Sequence, residues 1–198
     1  IPKNAVVTDV GSIKKPIINK WENIHPFFIG SHPMVGTEQK GVGSGFESLL
    51  DNAKWAVTPT SKTNSYAMNI LWELLISMRC KIFKASPEEH DIAVSLISHL
   101  PIFVASSLIE TANDKNNKSL INLTQNLAST GFSDTTRVGS GNPKLGLDLA
   151  MNNKDNLLNA LNVFKNNIDQ FESLIKNNDW ELLYKKLSDA KEIRSNFL

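Results

Sequence analysis

Two hydrophobic patterns divide the chain. Up to Pro59 the apolar residues come in short continuous runs closed by turn residues. Residues 5–10 (Ala-Val-Val-Thr-Asp-Val) stop at Gly11, Phe27-Phe28-Ile29 stops at Gly30 and Pro33, and Trp55-Ala56-Val57-Thr58 stops at Pro59. Runs of this kind suit strands buried in a parallel sheet, where both faces are covered and alternation is lost. Residues 13–23 are long enough for a crossover helix between the first two runs, which makes a βαβ unit. Residues 60–65 (Thr-Ser-Lys-Thr-Asn-Ser) read as a polar linker and helix start.

Beyond the linker the spacing turns helical. Ile70, Leu71, Leu74, Leu75 and Met78 predict a helix over residues 67–83. Ser86-Pro87-Glu88-Glu89 is a helix start, with Ser as N-cap, Pro in the first turn and Glu closing a capping box. The apolar stretch 92–109 follows, and Pro101 is expected to kink it rather than end it. A further helix is expected over 119–129, closed by Gly131. Leu157, Leu161, Phe164, Ile168, Phe171 and Ile175 form one apolar stripe, and residues 180–193 a last amphipathic helix. The fold class is therefore α/β followed by all-α, divided at residues 1–62 and 63–198. A three-strand half-sheet would leave an open edge that needs partner strands.

Composition narrows the classes. The 198 residues carry 21 Lys+Arg against 20 Asp+Glu, a net charge of +1, which supplies no field for nucleic acid or an anionic membrane. Cys80 is the single cysteine, so an internal disulfide framework and a cysteine-rich zinc site are excluded, and a reducing, cytoplasmic setting is expected. No charged segment followed by an apolar core marks the N-terminus as a secretory signal. Stretch 92–109 is apolar enough to raise a membrane span. Its His99, Pro101 and four serines, with acidic flanks, favour a helix buried in a core or subunit interface. Together with the stripe at 157–175 it exposes more apolar surface than a small helical domain hides alone, which predicts a homodimer.

Candidate chemistry is sparse. Gly41-Val42-Gly43-Ser44-Gly45 follows Glu-Gln-Lys instead of a strand, so it reads as a loop and not as a dinucleotide fingerprint. His32 directly follows a strand, at the end where open α/β sheets bind ligands. Ser12 follows the neighbouring strand, so the two could meet as a nucleophile pair or proton relay. His90 and His99 are nine residues apart; nine steps of about 100° put them on opposite helix faces, which excludes a metal pair. His90 reads as a solvated first-turn residue, His99 as a buried hydrogen-bonded one, and His25 as structural. Arg137, in a polar segment after Gly131, can clamp a carboxylate with its guanidinium fork.

Several segments together resemble the prephenate/arogenate dehydrogenases of tyrosine biosynthesis. They are Thr8-Asp9-Val10-Gly11-Ser12-Ile13-Lys14, Gly30-Ser31-His32-Pro33-Met34-Val35-Gly36-Thr37-Glu38, Ala53-Lys54-Trp55-Ala56-Val57-Thr58-Pro59, His90-Asp91 with Ile97-Ser98-His99-Leu100-Pro101, and Gly131-Phe132-Ser133-Asp134-Thr135-Thr136-Arg137. The resemblance runs to about residue 165. It implies the C-terminal part of a Rossmann-type sheet followed by a helical dimerisation domain, without the family's G-x-G-x-x-G half, as in an N-terminally truncated enzyme.

The resemblance also implies roles. His32 takes the proton of the substrate's ring hydroxyl while a hydride passes to NAD or NADP and the ring carboxylate leaves as carbon dioxide. Ser12 hydrogen-bonds near that hydroxyl. Arg137 binds a substrate carboxylate, flanked by Glu38 and Asp134, and Ser98 and His99 complete the substrate site. Ser12, Thr58 and Pro59 face the nicotinamide end of the cofactor. Ile102 stands where prephenate-preferring members often have a second His, and Lys144-Leu145-Gly146 where many have a Trp. Both departures resemble the arogenate-preferring branch, with prephenate as the alternative substrate and a catalytically inert helical dimer as the alternative function.

Overall fold

Strand β2 (Phe28–Pro33) is buried along its whole length, and the N-terminal layer is built around it. The computed structural model describes residues 1–36, 43, 45–113 and 118–197. Strand β1 (Val7–Thr8) runs parallel to β2 and is joined to it by helix α1 (Lys15–Trp21), the expected βαβ unit. Strand β3 (Lys54–Thr58) pairs with β2 in the opposite direction, matching Gly30 with Thr58 and His32 with Ala56. The expected all-parallel sheet is thus corrected. A parallel pair needs a crossover element, and the described residues between β2 and β3 hold only the 3₁₀ turn Glu47–Leu50. Burial on both faces makes a strand uniformly apolar whatever its direction.

A fourth strand, β4 (Lys81–Lys84), lies parallel to β3 and completes the order β1-β2-β3-β4. Its residues were expected to end a helix. Helix α2 (Ser65–Ser77) instead stops where Arg79 takes a left-handed φ of 58° and the Cys80 N–H bonds to the Leu75 carbonyl. That is a helix C-terminal turn in which Arg79 replaces the usual glycine. Its guanidinium is held by Asp51 through bonds of 3.0 and 2.8 Å. Helix α2 is capped by Asn64 and packs Ala67, Leu71 and Leu75 on Ile29, Trp55 and Val57. The sheet layer therefore extends to Lys84, past the division expected at residue 62.

Helix α3 (Pro87–Val94) opens with the predicted capping box of Ser86 and Glu89. It passes through a π turn (Ser95–His99) into α4 (Leu100–Ala112), so the chain continues through Pro101 as expected. Helix α5 (Lys118–Leu127) matches the predicted helix, but Gly131 lies inside α6 (Thr130–Thr136), not at a helix end. A 3₁₀ turn (Arg137–Ser140) leads to α7 (Pro143–Asn152), which the periodicity did not announce although Asn142 caps it. Helices α8 (Lys154–Lys176) and α9 (Trp180–Arg194) follow.

The chain forms two compact units, residues 1–157 and 158–198. In the second, the chain turns at Asn178, with φ 57°. Lys186 there bonds Gln170 at 2.8 Å and lies over the Phe171 ring.

Candidate active site

The loop after β1 is held by an ionic pedestal. Asp9 accepts from the backbone N–H of Ser31 at 3.1 Å and of Gly11 at 2.9 Å, and pairs with the ammonium of Lys14. Lys14 is wholly buried, and its Nζ also donates to the Ser31 carbonyl at 2.6 Å. Burial pulls its pKa below the ordinary 10.5, while Asp9 opposes the shift. Gly11 fits closely here: a Cβ would stand 2.9 Å from Ile17 Cδ1 and 3.0 Å from Asp9 Oδ2. Ser12 rides on this loop, half-buried.

Across from the loop, β2 and α3 bring two imidazoles together. His32 Nδ1 and His90 Nε2 are 2.9 Å apart, with rings nearly perpendicular. His90 Nδ1 lies 2.8 Å from Asp91 Oδ1. Asp91 also accepts from the backbone N–H groups of Lys14 at 2.7 Å and Lys15 at 2.9 Å, so it caps α1 from another element. Burial alone would raise the Asp91 pKa, but the bonds from His90, Lys14 and Lys15 bring it below the usual carboxylate value. Burial, then the charges of His90, Lys14 and His99, lower His32 to about 4, so its imidazole is neutral near pH 7.

His99 is fully buried and belongs to the same cluster. Asn153 donates to the Asp91 carbonyl at 2.8 Å and lies 3.3 Å from His99 Nδ1. His99 Nε2 has no hydrogen-bond partner among the described residues, and burial lowers its pKa to about 4. A buried ring nitrogen left unpaired is costly and marks a place for a polar guest.

The reading of His90 as a solvated residue is corrected: it is buried and bonded on both ring nitrogens. The expectation of opposite faces is corrected with it. The π turn inserts one extra residue, which reduces the accumulated rotation between His90 and His99 from about 180° to about 80°. The buried Lys14, its partner Asp9, and Asn153 were also missed as site residues. A lysine beside a short apolar run gives no sign of burial, though its place in the Thr-Asp-Val-Gly-Ser-Ile-Lys segment was a usable signal.

The remaining expected residues are placed less centrally. Thr58 is buried and donates to the Gly30 carbonyl at 3.0 Å. Because β3 is antiparallel, Thr58 and Pro59 lead away from His32 toward the start of β2. Ser98 is exposed, and so are Asp134 on α6 and Arg137 at the head of the 3₁₀ turn. Gly139 seats that turn on α4, where an added Cβ would meet Ser106 N at 2.6 Å. Glu38 lies outside the described residues, as do residues 41, 42 and 44 of the glycine loop.

These residues suit one end of a nicotinamide dinucleotide only. Ser12 and His32 can face a reacting ring. A pyrophosphate needs free backbone N–H groups at a helix N-terminus, and those of Lys14 and Lys15 on α1 are taken by the Asp91 carboxylate. The sequence holds no G-x-G-x-x-G elsewhere.

Comparison with known proteins identifies both parts of the chain. The family model for the nucleotide-binding domain of prephenate dehydrogenase matches residues 1–84, and that for its dimerisation domain matches residues 86–189. The changeover falls at the end of β4. Prephenate dehydrogenase of Bacillus subtilis is 34% identical over 197 residues, 98% of this chain; the chain spans 53% of that protein. The crystal structure of Synechocystis arogenate dehydrogenase superposes with a TM-score of 0.90 at 37% identity, covering 100% of this chain and 71% of the other. Prephenate dehydrogenase of Aquifex aeolicus, solved with hydroxyphenyl propionate and NAD⁺, gives a TM-score of 0.92 at 29% identity, covering 100% and 69%.

Proposed function

Since the chain belongs to the prephenate dehydrogenase family, we propose that it carries the substrate half of an enzyme that oxidatively decarboxylates arogenate to tyrosine with NAD or NADP. The observation that carries this reading is the buried His32 imidazole at the carboxyl end of β2, bonded through His90 to Asp91, whose carboxylate also holds the Lys14 and Lys15 N–H groups just after Ser12. A base working near pH 7 must be unprotonated before the reaction.

The nicotinamide, when bound, supplies the hydride acceptor. His32 takes the proton of the ring hydroxyl as hydride leaves the same carbon. Loss of the ring carboxylate as carbon dioxide returns an electron pair to the ring, which becomes aromatic, and the phenol oxygen regains a proton. Ser12 orients the hydroxyl. The carboxylates of the substrate bring negative charge near His32 and raise its basicity on binding. Arg137 clamps one of them with its fork, with Asp134 and Glu38 setting its position. His99 presents its unpaired Nε2 to the substrate, and Ser98 adjoins it. Ser12 meets the nicotinamide end of the cofactor, with Thr58 and Pro59 further along the sheet.

The arogenate preference is supported by Ile102, an apolar residue where a second histidine would favour the more acidic side chain of prephenate. It lies beside α7, since a Cβ on Gly146 would stand 3.8 Å from Ile102 Cγ2. The protein acts as a homodimer in the cytoplasm. Nicotinamide reduction, followed with each substrate and each cofactor in protein that includes a phosphate-binding half, tests the proposal. Arogenate is expected to exceed prephenate by roughly tenfold or more in kcat/KM. A preference for prephenate would overturn the substrate assignment, and reduction with neither would overturn the function.

A further inference from the structure

We propose that Asp91 is a positioning residue that fixes both halves of the candidate catalytic pair. Its carboxylate sets the proton positions of His90 and His32 and anchors the backbone that carries Ser12.

The argument follows the hydrogen bonds outward. An ionised carboxylate only accepts, so the 2.8 Å contact with Asp91 Oδ1 requires a proton on His90 Nδ1. With one proton per imidazole, His90 Nε2 then holds a lone pair. It accepts across the 2.9 Å contact, which puts the His32 proton on Nδ1. His32 Nε2 is left with its lone pair, the form a base needs. In the opposite arrangement His32 Nε2 carries the proton and cannot accept another.

The same carboxylate acts on the facing loop. Asp91 receives the N–H of Lys14 and of Lys15, two and three residues after Ser12. Asn153 holds the Asp91 backbone from the other side at 2.8 Å. The charged groups that act on the His32 imidazole come from three elements: Lys14, paired with Asp9, from the β1–α1 segment, His90 and Asp91 from α3, and His99 from the π turn. Among the described residues, Asp91 joins the imidazole chain to the segment that carries Ser12. The catalytic use of this arrangement rests on His32 being the base; the proton positions do not.

Imidazole ¹⁵N shifts from the labelled chain, assigned by single substitution of its four histidines, test the proton positions directly. Near neutral pH, His32 and His90 are both expected as Nδ1–H tautomers. Asp91→Ala removes the acceptor, and both rings are expected to move toward Nε2–H. His90→Gln can still donate to Asp91 and accept from His32, so His32 keeps its tautomer, whereas His90→Phe releases it. The His90 pair decides the matter even if Asp91→Ala does not fold. An Nε2–H tautomer for His32 in the unaltered chain, a doubly protonated His90, or an unchanged His32 in His90→Phe would each overturn the proposal. In active enzyme, Asp91→Ala is expected to lower kcat by roughly 10²-fold while KM moves little. Expected tautomers in a protein that turns over neither substrate would leave the relay standing and refute the enzymatic reading instead.

Discussion

At the scale of single residues, the site depends on keeping imidazoles neutral in a buried place. His32→Asn removes the proposed base while leaving a polar side chain at the same strand end. It is expected to reduce kcat by roughly 10²–10⁴-fold with little change in cofactor affinity, as steady-state kinetics and cofactor titration would report. The same burial links stability to pH. His32 and His99 fall from 6.5 to about 4, so between these values the unfolded chain binds more protons than the folded one. Stability is expected to rise with pH across that window, by up to about 1.4 kcal/mol per pH unit for each histidine, and to level off above it. Denaturant midpoints measured from pH 4 to 7 check this, and His32→Asn is expected to flatten the slope. His32, expected just after its strand, lies within β2, whereas the place of Ser12 after β1 and the burial of His99 were legible. His90 was not, because its burial depends on β2 lying against α3, and no local spacing reports that.

At the scale of elements, what the sequence hid were changes of register and direction. The strand runs predicted β1, β2 and β3 but not that β3 reverses, since apolar runs carry no sense of direction. Helical spacing through Met78 ran on into β4 because the stop is a left-handed arginine, not a glycine. The π turn is the consequential case: regular helix arithmetic separates His90 and His99, and one extra residue reunites them. The 3₁₀ turn Arg137–Ser140 makes a different demand. Gly139 lies so close to α4 that a Cβ would stand 2.7 Å from the Ala105 carbonyl carbon, a backbone atom that cannot yield alone. Gly139→Ala is expected to cost about 1–3 kcal/mol and, by moving Arg137, to raise KM more than it lowers kcat. Gly141→Ala is the control, since its nearest contact would be Val138 O at 3.4 Å. Equal melting temperatures for the two variants would contradict this account of the turn.

At the scale of the whole molecule, the α/β-then-α order was legible because short continuous apolar runs and period-3.6 patterns occupy separate stretches. The extent of the sheet layer was not, since α2 shows the same spacing whether it covers a sheet or joins a bundle. The same ambiguity attends the 26-residue helix from Pro87 to Ala112, whose most apolar window has a mean hydropathy of 2.0. By length and composition it could cross a membrane. Its inward side, however, carries His90, Asp91 and His99, which α1, β2 and Asn153 engage. Ile92, Leu96, Ile97 and Leu108 lie on the outward side and remain substantially exposed. In a chain whose residues 86–189 match a dimerisation domain, that side is expected to meet a second copy. Each of these half-exposed side chains gains part of the about 1.5–3 kcal/mol of full burial, and a two-fold contact uses each of them twice, once from each copy. Leu96→Glu with Ile97→Glu places two charges on the face without touching the inward polar groups. Light scattering is expected to give a dimer mass for the unaltered chain and a monomer mass for the double variant, with the imidazole ¹⁵N pattern of His32 and His90 retained. A monomer at micromolar concentration in the unaltered chain would refute the assignment of this face.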